Sequence, residues 1–187
     1  MSEARDRLAR LLRERSVKLG DFTLASGARS TYYIDARLTT MSSEGQRLVG
    51  EVALDAIRSA GWDPAWVGGL TLGADPVAYA IAHRSSMDGP SVDAFTVRKA
   101  PKGHGTGRQI EGGLPHGARV VLLEDSVTSG GSALKAAEVV SAHGGEILGV
   151  LALVDREEGG REAIEAAGYP FVALFPAKDL VAAASGV

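Results

Sequence analysis

The sequence predicts an α/β domain with a mostly parallel central sheet flanked by helices. Three observations carry that prediction. Strand-length apolar runs alternate with helical patterns from residue 44 to residue 175, and the connections are short. Several of those runs, such as Val120 to Leu123, are continuously apolar rather than alternating, as strands covered on both faces are. The loops after residues 70, 97, 124 and 154 gather the glycines, hydroxyls and charges, and ligands of parallel sheets bind outside the strands' carboxyl ends.

Residues 3–15 read as an amphipathic helix, with Leu8, Leu11 and Leu12 on one side, and Gly20 closes that region. FTLASGARSTYYID, residues 22–35, reads as two short strands around a Ser26-Gly27 turn. Glu44 to Ala60 is a second helix with Leu48, Val52 and Ile57 facing the core and Gly61 as its stop. A strand over Trp66 to Leu70 leads to a helix over Asp75 to Arg84, with Asp75 as N-cap and Pro76 in the first turn. Val92 to Val97 is a strand, and residues 98–118 show no period. Strand 119–124, helix 132–143, strand 146–154, helix 160–167 and strand 171–175 complete the series.

The chain has 187 residues, enough for one domain with a substantial core. Its 45% hydrophobic and 23% charged content are those of an ordinary soluble globule. A net charge of −3 gives no electrostatic case for nucleic acid or a membrane surface. The absence of cysteine removes disulfides, zinc–thiolate sites and thiol nucleophiles together. The charged start MSEARDRLARLLRERS has no apolar signal region, and no apolar stretch is long enough to span a bilayer. A soluble cytoplasmic protein is expected.

The most informative segment is VVLLEDSVTSGGS, residues 120–132. A buried strand runs into Glu124 and Asp125, then a loop of Ser126, Val127, Thr128, Ser129, Gly130, Gly131 and Ser132 opens a helix. Small residues at a helix start leave backbone N–H groups free to face an anion, and the helix dipole adds to the attraction. Phosphate suits such a loop. The two carboxylates would repel it, so they need another task, such as ribose hydroxyls or a phosphate-bound Mg²⁺. No G-x-x-x-x-G-K-[ST] and no helix-opening G-x-G-x-x-G occurs, which excludes the Walker and dinucleotide readings.

Three further loops carry chemistry. RKAPKGHGTGRQIEGG, residues 98–113, holds Arg98, Lys99, Lys102, His104 and Arg108 among five glycines. A long cationic loop near a phosphate site suits diphosphate capture and release. GGLTLGADP, residues 68–76, allows close approach of backbone to an anion. VDREEGG, residues 154–160, places Asp155 and Arg156 at a strand end.

Together these segments resemble the type I phosphoribosyltransferases, whose signature for 5-phosphoribosyl 1-diphosphate (PRPP) is an apolar strand, two acids and a Thr/Ser/Gly loop. The Arg-Lys-x-x-Lys-x-His-Gly pattern from Arg98 is similar to the catalytic flexible loop of the orotate-using members. Four motifs follow the family's order, and the resemblance covers about residues 20–180.

The resemblance implies a single domain over residues 1–187, with about 1–43 forming a small N-terminal hood and 98–113 a flexible catalytic loop. It implies transfer of the phosphoribosyl group from PRPP to orotate, giving orotidine 5′-monophosphate and pyrophosphate in pyrimidine biosynthesis. Glu124 and Asp125 would face the ribose hydroxyls, and Ser126 to Ser132 would hold the 5′-phosphate. Arg98, Lys99, Lys102 and His104 would contact the diphosphate, with Lys102 as the main catalytic cation. Arg156 would take the orotate carboxylate, with Thr128 reaching the pyrimidine edge. Mg²⁺ is expected through PRPP, and a homodimer sharing the loop between subunits. Tyr32 and Tyr33 are expected to pack under the hood rather than stack on the base. Leu72 and Ala25 stand where some relatives have lysine, so any contact from residues 68–76 to the diphosphate must come mainly from backbone N–H groups. The alternatives are a transferase for another base and a non-catalytic PRPP-sensing regulator.

Overall fold

Why Val120 to Leu123 is apolar at every position follows from which helices cover the strand that contains it. The computed structural model describes residues 2–23, 29–101 and 109–184. In it, Val121 and Leu123 pack into one buried cluster with Val49, Val77 and Ile81. Val120 and Leu122 pack into a second cluster with Ala133, Ala136 and Val140. Successive strand residues face opposite sides, so a strand between two helical layers must be apolar throughout.

The chain opens with α1 (Glu3–Ser16), whose Ser2 side chain accepts from the Arg5 amide as N-cap. It passes directly into β1 (Val17–Thr23), which pairs antiparallel with β2 (Arg29–Ile34). The expected strand pair therefore exists, but its first strand starts earlier than Phe22. Gly20 lies inside β1, at a break in register between Leu19 and Phe22, rather than closing the helix. The Ser26-Gly27 turn and Ala25 lie outside the described residues. A short helix, α2 (Arg37–Thr40), then precedes α3 (Ser43–Ser59), which Ser42 caps through the Gly45 amide.

The main sheet contains β3 (Trp66–Leu70), β4 (Asp93–Val97), β5 (Ile110–Glu111), β6 (Arg119–Val127), β7 (Glu146–Asp155) and β8 (Phe171–Pro176). Their spatial order is β5-β4-β3-β6-β7-β8, parallel except for the short edge strand β5. Helices α4 (Ala74–Asp88), α5 (Gly131–Ala142) and α6 (Gly160–Ala166) make the crossovers, and α7 (Ala177–Ala184) follows the last strand. From β3 the chain builds outward to β4 and β5. It then returns across β3 to begin β6. The order reverses between β3 and β6, and such a switch point opens a crevice beyond the strand ends.

Three expectations need correction. Asp75 is not the N-cap of α4; that position is Gly73, and Asp75 lies inside the first turn with its carboxylate turned inward. The strand expected to end at 124 continues to Val127, because Ser126 and Val127 still pair with Val154 and Asp155 of β7. The region from 98 to 118 is not wholly without regular structure, since β5 pairs with Thr96 and Val97. Among the described residues, no helix is long and apolar enough to cross a membrane.

Candidate active site

The β6 alternation continues past the core and sorts the two acids. Glu124 shares the side of Val120 and Leu122, the side covered by α5. Asp125 shares the side of Val121 and Leu123, toward α4. Two adjacent hollows result at the switch point. The smaller, about 100 Å³, is lined by Glu124 and by Ser126 to Ala133. The larger, about 260 Å³, is lined by Glu124, Asp125 and Ser132, by Thr71 to Gly73 after β3, by Lys99 after β4, and by Tyr33 to Arg37, where β2 leads into α2.

The smaller hollow has the chemistry of an anion site. Gly130, the N-cap of α5, has φ +78°, a conformation that favours glycine. The first-turn amides of α5 have no intrahelical acceptor and point out of the helix end. Thr128, Ser129 and Ser132 are exposed and add hydroxyls. Behind the loop, a Cβ at Gly160 would meet Thr128 O at 2.5 Å, so the β7–α6 connection is packed directly against it.

The carboxylates are set apart by their surroundings. Glu124 is 5% exposed, and its Oε1 has no hydrogen-bond partner among the described residues. Burial, with the neighbouring Asp125 charge, pushes its pKa up to about 8. Burial also raises Asp125, but the Ser126 amide donates to its Oδ1 at 2.8 Å and Arg37 lies close enough to oppose the rise. A buried acid with an idle oxygen requires a donor or a cation. Among the described residues no three acidic or histidine side chains cluster to hold a metal. The two acids and the oxygens of a phosphorylated ligand would therefore share any Mg²⁺, which suits its preference for hard oxygen donors.

The 71–73 loop is anchored from beneath. Asp75 is buried and accepts hydrogen bonds from Thr71 Oγ1 at 2.6 Å and Thr96 Oγ1 at 2.8 Å. The Thr71–Leu72 peptide is cis, and Leu72 is half exposed at the loop tip. Sequence reasoning took Asp75 for a cap and so missed its task.

The remaining expected residues fall in different places. Lys99 is exposed on the wall of the larger hollow. Arg98 faces Glu111 at 3.3 Å across the β4–β5 edge and is not on that wall. Lys102, His104 and Arg108 lie outside the described residues. Thr128 lines the smaller hollow. Arg156 is 9% exposed, stands over the Tyr32 ring at 5.2 Å, and is absent from both walls. Its Nε donates to Glu158 Oε1 at 2.9 Å. Its Nη2 is also 2.9 Å from that oxygen in an ion pair but makes no hydrogen bond among the described residues. Tyr32 packs against the core, whereas Tyr33 is exposed and lines the larger hollow.

Arg37 was missed altogether. Its Nε and Nη2 donate to Asp35 Oδ1 and Oδ2 at 2.8 and 3.1 Å, and it lines the larger hollow opposite Asp125. The signal was the Asp-x-Arg spacing of Asp35 and Arg37 immediately after the hairpin.

Known proteins are similar to this chain in sequence and fold. Residues 41–167 match the model of the phosphoribosyl transferase domain. An orotate phosphoribosyltransferase of Aquifex aeolicus is 50% identical over 180 residues, covering 95% of this chain and 97% of that protein. The Mycobacterium tuberculosis orotate phosphoribosyltransferase solved in complex with PRPP is 42% identical, with a TM-score of 0.80 over 95% of this chain and 98% of that one. The Aeropyrum pernix orotate phosphoribosyltransferase is 33% identical, with a TM-score of 0.82 over 96% and 99%. Relatives this similar over nearly all of their length, on a fold that places an acidic strand end beside a glycine-opened helix start, show that the chain belongs to the orotate phosphoribosyltransferase family.

Proposed function

We propose that this protein transfers the 5-phosphoribosyl group of PRPP to orotate at the junction of the two hollows. The observation that carries the reading is the adjacency of an amide-lined hollow at α5 and a buried carboxylate with an idle oxygen. A ribose 5-phosphate spans that pair: phosphate on the α5 amides, hydroxyls on Glu124 and Asp125.

In the reaction the C1′–O bond to diphosphate breaks and a bond from the orotate ring nitrogen to C1′ forms. Positive charge grows on the ribose and negative charge on the leaving diphosphate, so catalysis is largely positioning and electrostatics. Asp125, and Glu124 once ionised, hold the ribose hydroxyls and lie near the developing cation. Lys99 on the wall and Lys102 and His104 of the same segment supply positive charge to the diphosphate. The ring nitrogen of orotate is already acidic, which removes the need for a strong protein base. Mg²⁺ carried with PRPP would supply charge neutralisation to the diphosphate. Arg156 is assigned to the orotate carboxylate, supported by its unused buried donor and the planar match of guanidinium to carboxylate. Thr128 is assigned to the pyrimidine edge. The homodimer, with residues 98–113 shared between subunits, rests on the family resemblance.

Orotate consumption followed by absorbance, with PRPP and Mg²⁺, tests the reading. It predicts stoichiometric release of pyrophosphate, lost in Lys102→Ala. Turnover of PRPP with a purine and none with orotate would replace it with the other-base alternative. PRPP binding without turnover of any base would favour the regulator.

A further inference from the structure

PRPP is a polyanion, yet the larger hollow presents three acids, Asp35, Glu124 and Asp125. Its described wall has two cations to set against them, Lys99 and Arg37. The loop after β3 contributes none: Leu72 at its tip is apolar and half exposed. Lys99 comes from the β4 side. Arg37 comes from the hood, at the start of α2.

Arg37 is held for use. It opens α2, directly after the buried Ala36. Its backbone N–H and its Nε both donate to Asp35 Oδ1, at 3.2 and 2.8 Å, and Nη2 donates to Oδ2 at 3.1 Å. The Asp35 amide in turn donates to Ser16 O at 3.0 Å, at the end of α1. This side-on pairing uses the Nε edge of the guanidinium and leaves the Nη1 edge without a hydrogen bond among the described residues. A planar fork with one edge fixed is suited to bind an anion with the other. Its side chain is 43% exposed, which keeps it accessible to a ligand.

We propose that Arg37 binds the diphosphate of PRPP from the hood, supplying the side-chain cation that Leu72 does not provide. The proposal rests on the reading of the site as a PRPP site. It makes the hood a part of diphosphate binding and not just a cover for the base. Asp35 is the positioning residue that orients the fork.

The competing role for Arg37 is electrostatic support of Asp125, which would affect every ribose-bearing ligand. Two ligands separate the roles: magnesium pyrophosphate, which has no ribose, and orotidine 5′-monophosphate, which has no diphosphate. Titration calorimetry on the wild type, Arg37→Ala and the shape-conserving Arg37→Gln should show pyrophosphate weakened by about tenfold or more, as loss of a charge-assisted hydrogen bond implies. Binding of orotidine 5′-monophosphate should stay within about twofold. Arg37→Lys should recover part of the loss, because it restores charge without the fork. Unchanged pyrophosphate affinity, or equal losses for both ligands, would overturn the proposal. A wild type that binds pyrophosphate but not orotidine 5′-monophosphate would refute the orotate reading, while the pyrophosphate contrast would still decide the role of Arg37.

Discussion

Gly73 stands so close to Asp125 that a side chain at 73 would overlap the Asp125 carboxylate. The carboxylate cannot retreat without losing the Ser126 amide, which holds its Oδ1 at 2.8 Å. Gly73→Ala should therefore turn Asp125 out of its place while the core stays intact. We expect kcat/KM to fall by about tenfold or more, the cost of one displaced charge-assisted hydrogen bond, with little change in Tm. Steady-state kinetics and a melting curve check it; full activity would show that the Asp125 position is not critical.

Glu124 makes stability depend on pH. The carboxyl ionises near 4.5 in an exposed setting and near 8 in the folded protein. Between those values the folded state keeps a proton that the unfolded state has released. Stability from this group is therefore complete below about 4.5 and falls as pH rises to about 8, by about 1.4 kcal/mol per pH unit at most. Glu124→Gln should remove that slope and be more stable than the wild type at pH 8.5. Urea denaturation of both proteins across this range measures the difference.

The same carboxyl should lose its proton when PRPP binds, because ribose hydroxyls donate to the ionised form and favour it. Calorimetry at pH 7 in two buffers of different ionisation enthalpy should report proton release in the wild type and less in Glu124→Gln.

Asp75 links two strand ends by accepting from both Thr71 and Thr96. Asp75→Ala leaves both hydroxyls without that acceptor and should cost about 1–3 kcal/mol of stability. It should also raise the KM for PRPP, since it frees the loop that bears on Asp125. A fall in Tm with unchanged KM would confine Asp75 to a purely structural role.

Arg156→Ala should chiefly raise the KM for orotate and leave PRPP binding nearly intact. Glu158→Gln, which weakens the ion pair orienting the guanidinium, should do the same to a smaller degree. A loss confined to PRPP would remove Arg156 from the base site.

The reach of the sequence can be judged from individual residues. Val120 to Leu123 identified a doubly covered strand because helices cover both of its faces, and that demand is written at every position. The small-residue loop that opens α5 was readable because Gly130 and the hydroxyls around it are local chemistry. Asp75 and Arg37 were not readable in the same way. Asp75 works through Thr96, 21 residues distant, and a helix-start aspartate looks the same whether it caps or anchors. Arg37 reaches the site because it and Asp125 line one hollow, a meeting of distant parts of the chain that no local pattern records. The end of β6 was misjudged for a related reason: Ser126 has poor strand character, but its pairing with Val154 overrides that preference.

In the proposed complex one ribose 5-phosphate spans the two hollows on β6 and α5. A crystal structure with PRPP and Mg²⁺ tests it most directly. The account predicts the 5′-phosphate within about 3 Å of the amide nitrogens at the start of α5, with both ribose hydroxyls in hydrogen-bond contact with Glu124 and Asp125. A PRPP molecule whose diphosphate occupies the α5 hollow, or whose ribose makes no contact with either acid, would contradict it.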